Sequence, residues 1–291
     1  MKKILFATTA LVATAGVAAA DITLSGYGRF GVNYDDSRAQ EFGVDQRLRL
    51  IITGTAESDN GISFTAQTRL QWDDGASTVG DTVKGAAGPG ARDAAFHASY
   101  GGLTLSVGNV SAAEAQPGFY GFGLGYTGFM FIDQHSIGYG NHDIGLTTAG
   151  TDGVVMATYA AGDFNVRASF SNDGINDRIF VGMDYTFGDY LIALSHQESD
   201  LAGEDVTKLY FQGSMGNTTF GLFVDDTTFG NSFGVTATTA IGAATTATFT
   251  AASVEGMLGN YENYGVGINH DLGGGVSVAG GIADFEGDTV A

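Results

Sequence analysis

The sequence predicts an all-β chain, folded as a transmembrane antiparallel up-and-down β-barrel of about fifteen strands. Three observations predict it. Polar and apolar residues alternate with a period of two in most segments, and no window keeps helical spacing. Arginines of neighbouring predicted strands share one face. Connectors between the predicted strands alternate between short and long along much of the chain.

The first predicted strand, residues 22–34, shows the alternation most clearly. Its even positions, such as Leu24 and Phe30, are apolar or glycine, whereas its odd positions include Arg29. At about 3.3 Å per residue, such a strand is long enough to cross the hydrocarbon core of a membrane at a tilt. This pattern alone leaves open which face of the sheet lies inside.

The arginines favour a polar interior. Arg47, Arg49 and Arg69 lie on the polar faces of the second and third predicted strands, and Arg167 lies on the polar face of the predicted strand 164–171. Arg or Lys facing lipid costs about 2–4 kcal/mol at the membrane midplane, so we expect these side chains to line a lumen. Solvated surface charge is the alternative interpretation.

The connectors sort by length. Alternate connectors of an up-and-down barrel lie at the same end, so short turns at one end and long loops at the other are typical of an outer-membrane barrel. The predicted short turns are residues 58–61, 101–102, 162–163, 188–189, 215–216 and 271–275. The predicted longer connectors are residues 35–43, 73–90, 110–152, 172–177, 199–204 and 255–260.

The first twenty residues predict a signal peptide rather than part of the fold. Lys2 and Lys3 precede a short apolar run, and Ala18–Ala20 fits a cleavage site, which leaves residues 21–291 as the barrel domain. That run is shorter than the about 18 apolar residues of a spanning helix, and no later run reaches that length. We therefore expect export to the outer membrane.

Residues 110–152 break the strand rhythm. A structureless segment of this length usually has a function. It contains the acids Glu114, Asp133, Asp143 and Asp152 and a glycine–aromatic run at 118–131. No strand–helix context and no Lys-Ser/Thr follow these glycines, so nucleotide binding is not expected.

Composition excludes several classes of function. The formal net charge of −20 argues against nucleic acid as a partner. The chain has no cysteine and no Gly-x-Ser-x-Gly motif, and nothing predicts an enzyme. No cofactor is expected and the metal ligands are unknown. A weak metal site at His135 and His142, or structural Ca²⁺ at acid clusters such as Asp284, Glu286 and Asp288, is the alternative.

Four segments carry a family resemblance that runs over essentially the whole mature chain. The chain resembles the sixteen-stranded trimeric porins of the Rhodobacter type, from alphaproteobacterial outer membranes. The resemblance rests on the order and spacing of DITLSGYGRFGVNY (21–34), TYAAGDFNV (158–166), YTFGDYLIAL (185–194) and HDLGGGVSVAGGIADF (270–285).

The resemblance implies a general diffusion porin. Such a protein is a homotrimer in outer-membrane lipid that lets ions and small hydrophilic solutes pass through a water-filled channel. It also implies that residues 110–152 fold into the barrel and set their acids opposite the barrel-wall arginines. A closed outer-membrane barrel, or an exported β-rich adhesin that binds through its loops, is the alternative.

The family's last strand ends in an aromatic residue, whereas this sequence stops at Ala291. Single-chain bacterial barrels have even strand numbers, and about fifteen strands are predicted here. We therefore expect about ten further residues, which would form one more strand. The genomic reading frame beyond Ala291 tests this expectation, and a stop codon directly after that residue would contradict it.

Overall fold

The strands of this protein form one continuous antiparallel sheet. The computed structural model describes residues 21–34, 36, 41–73, 87–91, 94–110, 153–172, 177–200, 205–256, 259–285 and 288–290. These ranges contain seventeen strand segments, all in the same sheet. The segments are β1 (Asp21–Tyr34), β2 (Phe42–Glu57), β3 (Ser63–Asp73), β4 (Ala87–Ala91), β5 (Ala95–Tyr100), β6 (Leu103–Gly108), β7 (Gly153–Ala161), β8 (Phe164–Asn172), β9 (Asp177–Phe187), β10 (Tyr190–Ser199), β11 (Val206–Met215), β12 (Thr218–Thr227), β13 (Gly230–Ala240), β14 (Thr245–Gly256), β15 (Gly259–Gly273), β16 (Val276–Phe285) and β17 (Asp288–Val290).

The segments make a wall of sixteen strands. Both β4 and β5 pair with β3, at different heights, so together they occupy one place in the wall. Every other strand pairs with its neighbours in chain order, and β17 pairs with β16 and lies beside β1. The sheet therefore returns to its first strand, which confirms the predicted up-and-down β-barrel.

The break between β4 and β5 corrects one expectation. The predicted connectors at 73–90 and 101–102 leave a single strand at about 91–100, but the register against β3 shifts by one residue between Ala91, the partner of Leu70, and Ala95, the partner of Gln67. At the start of β5, the carbonyl oxygen of Ala94 accepts a hydrogen bond from Asn109 N at 3.1 Å. Gly108 makes this approach possible: its φ is 96°, and a Cβ there would lie 2.3 Å from that carbonyl oxygen. The chain leaving β6 thus continues the hydrogen bonds between β5 and β6 as far as Ala94.

The two faces of the sheet have opposite chemistry. Outward apolar side chains are exposed, as Leu48 at 55% and Phe64 at 48% illustrate, whereas Arg47 and Arg49 on the other face are half-buried. A water-soluble β-protein would bury such apolar side chains, and a contiguous apolar surface of this extent indicates a lipid environment. No helix among the described residues is long and apolar enough to cross a membrane.

Exposed aromatic side chains flank several short turns, as Tyr100 before Gly101 and Phe164 after Asp163 illustrate. Near the turn at Gly188, the rings of Phe187 and Tyr190 lie 5.6 Å apart, and the ring of Tyr190 lies 5.9 Å from that of Phe211. The backbone of Gly213 leaves room for this packing, since a Cβ there would lie 2.6 Å from the Tyr190 ring. Such rings are typical of the membrane interface of outer-membrane barrels.

The expected sorting of connectors fails after β12. Only residues 228–229 connect β12 to β13, and the predicted long connector at 255–260 is wrong because β14 ends at Gly256 and β15 begins at Gly259. The hydrogen bonds of Glu255 explain why β14 extends as far as Gly256. Its carboxylate accepts a hydrogen bond from Asn231 N at 3.0 Å, and its own N–H donates to Ser232 Oγ at 3.2 Å. Glu255, a charged residue of a type common in loops, is therefore held in β14 near its end.

Candidate functional site: the inner wall

Four of the five predicted pore-lining arginines come together on β1, β2 and β3. Arg29 and Arg47 are direct Cα partners, and Arg49 follows two residues after Arg47 on the same face. Arg69 lies one strand further along, opposite Ile51. Like charges directly opposite each other destabilise a strand pair. The register therefore brings these two positive charges together on the inner wall.

The guanidinium group of Arg49 is held in place. Its Nε donates a hydrogen bond of 2.6 Å to Gln71 Oε1, and its Cζ lies 5.2 Å from the centre of the Tyr27 ring. Gln71 is its Cα partner on β3, and Tyr27 is its Cα partner on β1. Arg49 is thus oriented from both neighbouring strands, which makes it a fixed charge on the inner wall rather than a freely moving one.

Arg167, the fifth predicted arginine, lies elsewhere on the wall. It is on β8, and β5, β6 and β7 separate it from β3. Its Nη2 lies 3.4 Å from Asp184 Oδ1, and Asn165 donates a 2.7 Å hydrogen bond to the other oxygen of that carboxylate. Arg167 therefore belongs to a local acid–base network and is not part of the arginine group on β1–β3.

The prediction omitted two further basic residues of the inner face. Arg178 on β9 is 7% exposed, and Lys208 on β11 is also largely buried. The alternation that identifies Arg167 identifies both, because each shares a face with the buried positions of its strand. All seven Lys and Arg side chains in the described part of the chain lie on the inner face.

Lys208 takes part in a buried ion pair. Its Nζ lies 3.4 Å from Asp225 Oδ2, and Asp225 is fully buried on the neighbouring strand β12. The ring of Phe223 lies beside the pair, with its centre 5.6 Å from the ammonium nitrogen. Within the described part of the chain, neither carboxylate oxygen of Asp225 has a hydrogen-bond partner. Lys208 is thus the cation that compensates this buried charge.

The other predicted site residues fall outside the described residues. These are the acids Glu114, Asp133, Asp143 and Asp152 of the expected inward loop, and the same holds for the predicted signal peptide at residues 1–20. At the start of that loop, Val110 is described and lies on the inner wall with Ala95 and Met156. No group of three or more potential metal ligands occurs among the described residues.

Comparison with known proteins gives consistent matches. The family model for Gram-negative porins matches residues 7–289. The porin of Fuscovulum blasticum is 29% identical, over 93% of this chain and 97% of that protein. The porin of Rhodobacter capsulatus is 27% identical, over 91% of this chain and 94% of that protein.

Solved structures give the same result. A variant of the Rhodopseudomonas blastica porin, in which a lysine, an arginine, an aspartate and a glutamate are replaced by alanine, has a TM-score of 0.72 and 26% identity over 93% of this chain and 97% of that one. These matches confirm the expected resemblance, the barrel fold and the outer-membrane location. The chain therefore belongs to the Gram-negative porin family, whose members are channels rather than enzymes.

Proposed function

We propose that this protein forms a water-filled channel in the outer membrane, through which ions and small hydrophilic solutes diffuse passively. The observation that carries the proposal is the distribution of charged and apolar side chains between the two faces of the sheet. The seven described basic side chains lie on the inner face, and the outward face exposes apolar side chains to lipid. Charged groups inside a membrane protein belong where water reaches them.

The alternative of a closed barrel or a loop-binding adhesin fits less well. A lumen filled by side chains suits a barrel of about eight strands. This wall has sixteen strands. A solved structure similar to this chain, with a TM-score of 0.72, was described in connection with the asymmetric conductivity of engineered proteins. That description is of the related protein, and it supports conduction here.

Arg29, Arg47, Arg49 and Arg69 form the basic side of the channel constriction in this proposal, with Arg167 further along the wall. Residues 110–152 fold into the barrel and bring Glu114, Asp133, Asp143 and Asp152 to the opposite side. The position of Val110 on the inner wall supports an inward course for this loop. Fixed charges at a narrow point select among ions and orient dipolar solutes.

The remaining parts of the proposal concern processing, assembly and metals. Residues 1–20 act as a cleaved signal peptide, and residues 21–291 form the barrel. The protein assembles as a homotrimer in outer-membrane lipid. Passive diffusion requires no cofactor, and structural Ca²⁺ at the acid clusters stays a prediction that metal analysis of the purified protein tests.

Planar bilayer recordings test the channel function. The purified protein, added to a bilayer in potassium chloride, should give stepwise increases in current whose size rises with salt concentration. Those steps should remain open for long periods, as expected for a passive channel. Protein that is shown to insert and yet carries no current would contradict the proposal.

Replacement of three arginines should change the ion selectivity. The variant Arg29→Gln/Arg47→Gln/Arg49→Gln removes fixed positive charge from β1 and β2, so the ratio of potassium to chloride permeability should rise about threefold or more. The reversal potential in a salt gradient measures this ratio. The change should shrink in about 1 M salt, where the Debye length is only ~3 Å. An unchanged reversal potential at low salt would place these arginines away from the ion path.

A further inference from the structure

The lipid-facing surface of the sheet contains a groove with a volume of about 540 Å³, near the end of the barrel that carries the short turns. Its lining comes from β12, β13, β14, β15 and β16. A volume of this size falls within the range of about 300–1,000 Å³ that is typical of sites for small molecules. We propose that this outer groove binds one glycerophospholipid molecule, with an acyl chain in the groove and the phosphate group at His270. The inference concerns the outer surface of the barrel and goes beyond the proposed channel function.

A row of cross-strand partners runs along the outer groove. The register pairs Thr218 with Thr239, Thr239 with Ala247, Ala247 with Ile268 and Ile268 with Gly280. Residues directly opposite each other share a face, and Ile268 is exposed on the outward face, so the whole row lies on that face. Neighbouring strands are about 4.8 Å apart, which makes a row across five strands about 19 Å long. The row can therefore accommodate an extended chain.

Small side chains make this row lower than its surroundings. Ala247 and Gly280 are two of its five members, and a Cβ added at Gly280 would meet no atom within 4 Å. Phe249 and Val266, which are partners in the adjacent row, are large, exposed and also line the groove. The groove is thus a depression between bulky apolar side chains.

The surroundings of the outer groove favour an acyl chain as its occupant. The groove is continuous with the exposed apolar face of the sheet, which lies against lipid. An empty depression there would lose dispersion contacts, and the hydrocarbon region holds no water to fill it. Strands of such barrels are tilted by about 35–45°, so a row perpendicular to them is inclined to the membrane plane. An acyl chain that descends from a headgroup can follow such a row.

A polar pair lies where the headgroup is expected. Thr245 and His270 are Cα partners on the outward face, two residues nearer to the short turns than the row. His270 Nδ1 lies 2.7 Å from Thr245 Oγ1. When the threonine hydroxyl donates to Nδ1, the neutral ring carries its proton on Nε2, which can donate to a phosphate oxygen. The neighbouring carboxylate of Asp271 is engaged in its own turn, where it accepts a 2.7 Å hydrogen bond from Gly273 N.

Native mass spectrometry of the purified protein tests the inference, because one spectrum gives both the number of bound lipids and the number of chains. The protein is freed of lipid in detergent and then titrated with phosphatidylglycerol, or with a diacylglycerol that has the same acyl chains and no phosphate. We expect phosphatidylglycerol to saturate at one molecule per chain. The diacylglycerol should bind about fivefold more weakly, because it lacks the hydrogen bond to His270.

Variants locate the bound lipid. Gly280→Phe and Ala247→Phe each place a ring in the outer groove from a different strand, so each should raise the Kd for phosphatidylglycerol about tenfold. Ala168→Phe is the matched control, because Ala168 is an outward-facing alanine of β8, away from the groove. It should change the Kd by less than about twofold. His270→Ala should weaken phosphatidylglycerol to about the affinity of the diacylglycerol.

Three results would overturn the inference. They are equal lipid binding by Gly280→Phe, Ala247→Phe and Ala168→Phe, equal binding of the two lipids by the natural protein, and fewer chains per particle in Gly280→Phe. The last result would assign the groove to a second copy of this chain. Gly280→Phe should conduct ions in planar bilayers as the natural protein does, which shows that it is folded. Natural protein that binds the lipid and carries no current would overturn the proposed function and leave this inference intact.

Discussion

The variant Lys208→Met should lose about 3–5 kcal/mol of stability, because it leaves the buried carboxylate of Asp225 without a compensating cation. The Asp225 side chain is 0% exposed, and its Oδ2 lies 3.4 Å from Lys208 Nζ. Removal of one member of a buried ion pair costs more than the pair contributes, since the remaining charge stays desolvated. Urea titration of folding into phospholipid vesicles measures the loss.

Two further variants separate this explanation from simple loss of packing. The double variant Lys208→Met/Asp225→Asn removes the buried charge as well and should recover most of the stability. Glu198→Gln breaks the pair of His196 and Glu198, whose side chains are 54% and 72% exposed, and should change stability by less than about 1 kcal/mol. A double variant as unstable as Lys208→Met would show that uncompensated charge is not the cause.

The second large effect concerns the lipid-facing surface. Leu48 lies near the middle of β2 on the outward face, and Leu48→Arg places a charge in the hydrocarbon core. The folding free energy in vesicles should fall by about 2–4 kcal/mol. Thr53→Arg is the matched control, because Thr53 lies on the inner face of the same strand and contacts Gln67 there. That variant should fold within about 1 kcal/mol of the natural protein.

The same comparison has a clear contrary outcome. If Leu48→Arg folds as well as the natural protein while Thr53→Arg does not, the outward face is not the lipid face. The sheet would then be turned the other way, with the arginines of β2 directed away from the lumen.

Much of the barrel follows from the sequence because a strand has a strict period of two. The predicted strands 22–34 and 164–171 agree with β1 and β8 to within one residue at each end. The predicted strand boundaries are wrong where pairing with a distant part of the chain determines where a strand begins or ends. A one-residue shift of register against β3 separates β4 from β5, and Glu255 extends β14 through its bonds to β13. Neither can be inferred from local alternation.

The candidate site likewise has features that the sequence predicts and features that it does not. The face of the sheet on which Arg29, Arg47, Arg49, Arg69 and Arg167 lie follows from the position of each in its strand. Which of them lie together depends on strand order and register. Register pairs Arg29 with Arg47, and it gives Arg167 its contact with Asp184 on β9. The partnership of Lys208 with Asp225 likewise depends on the register of β11 and β12.

The central claim is that water reaches one face of this sheet and lipid covers the other. Because the chain has no cysteine, single cysteines at neighbouring positions of β2 report on each face separately. In reconstituted vesicles, Arg49→Cys should react with a charged, membrane-impermeant thiol reagent, and the reaction should change the channel current. Leu48→Cys should stay unreactive in the same membranes. Rapid reaction at Leu48→Cys together with protection at Arg49→Cys would contradict the account.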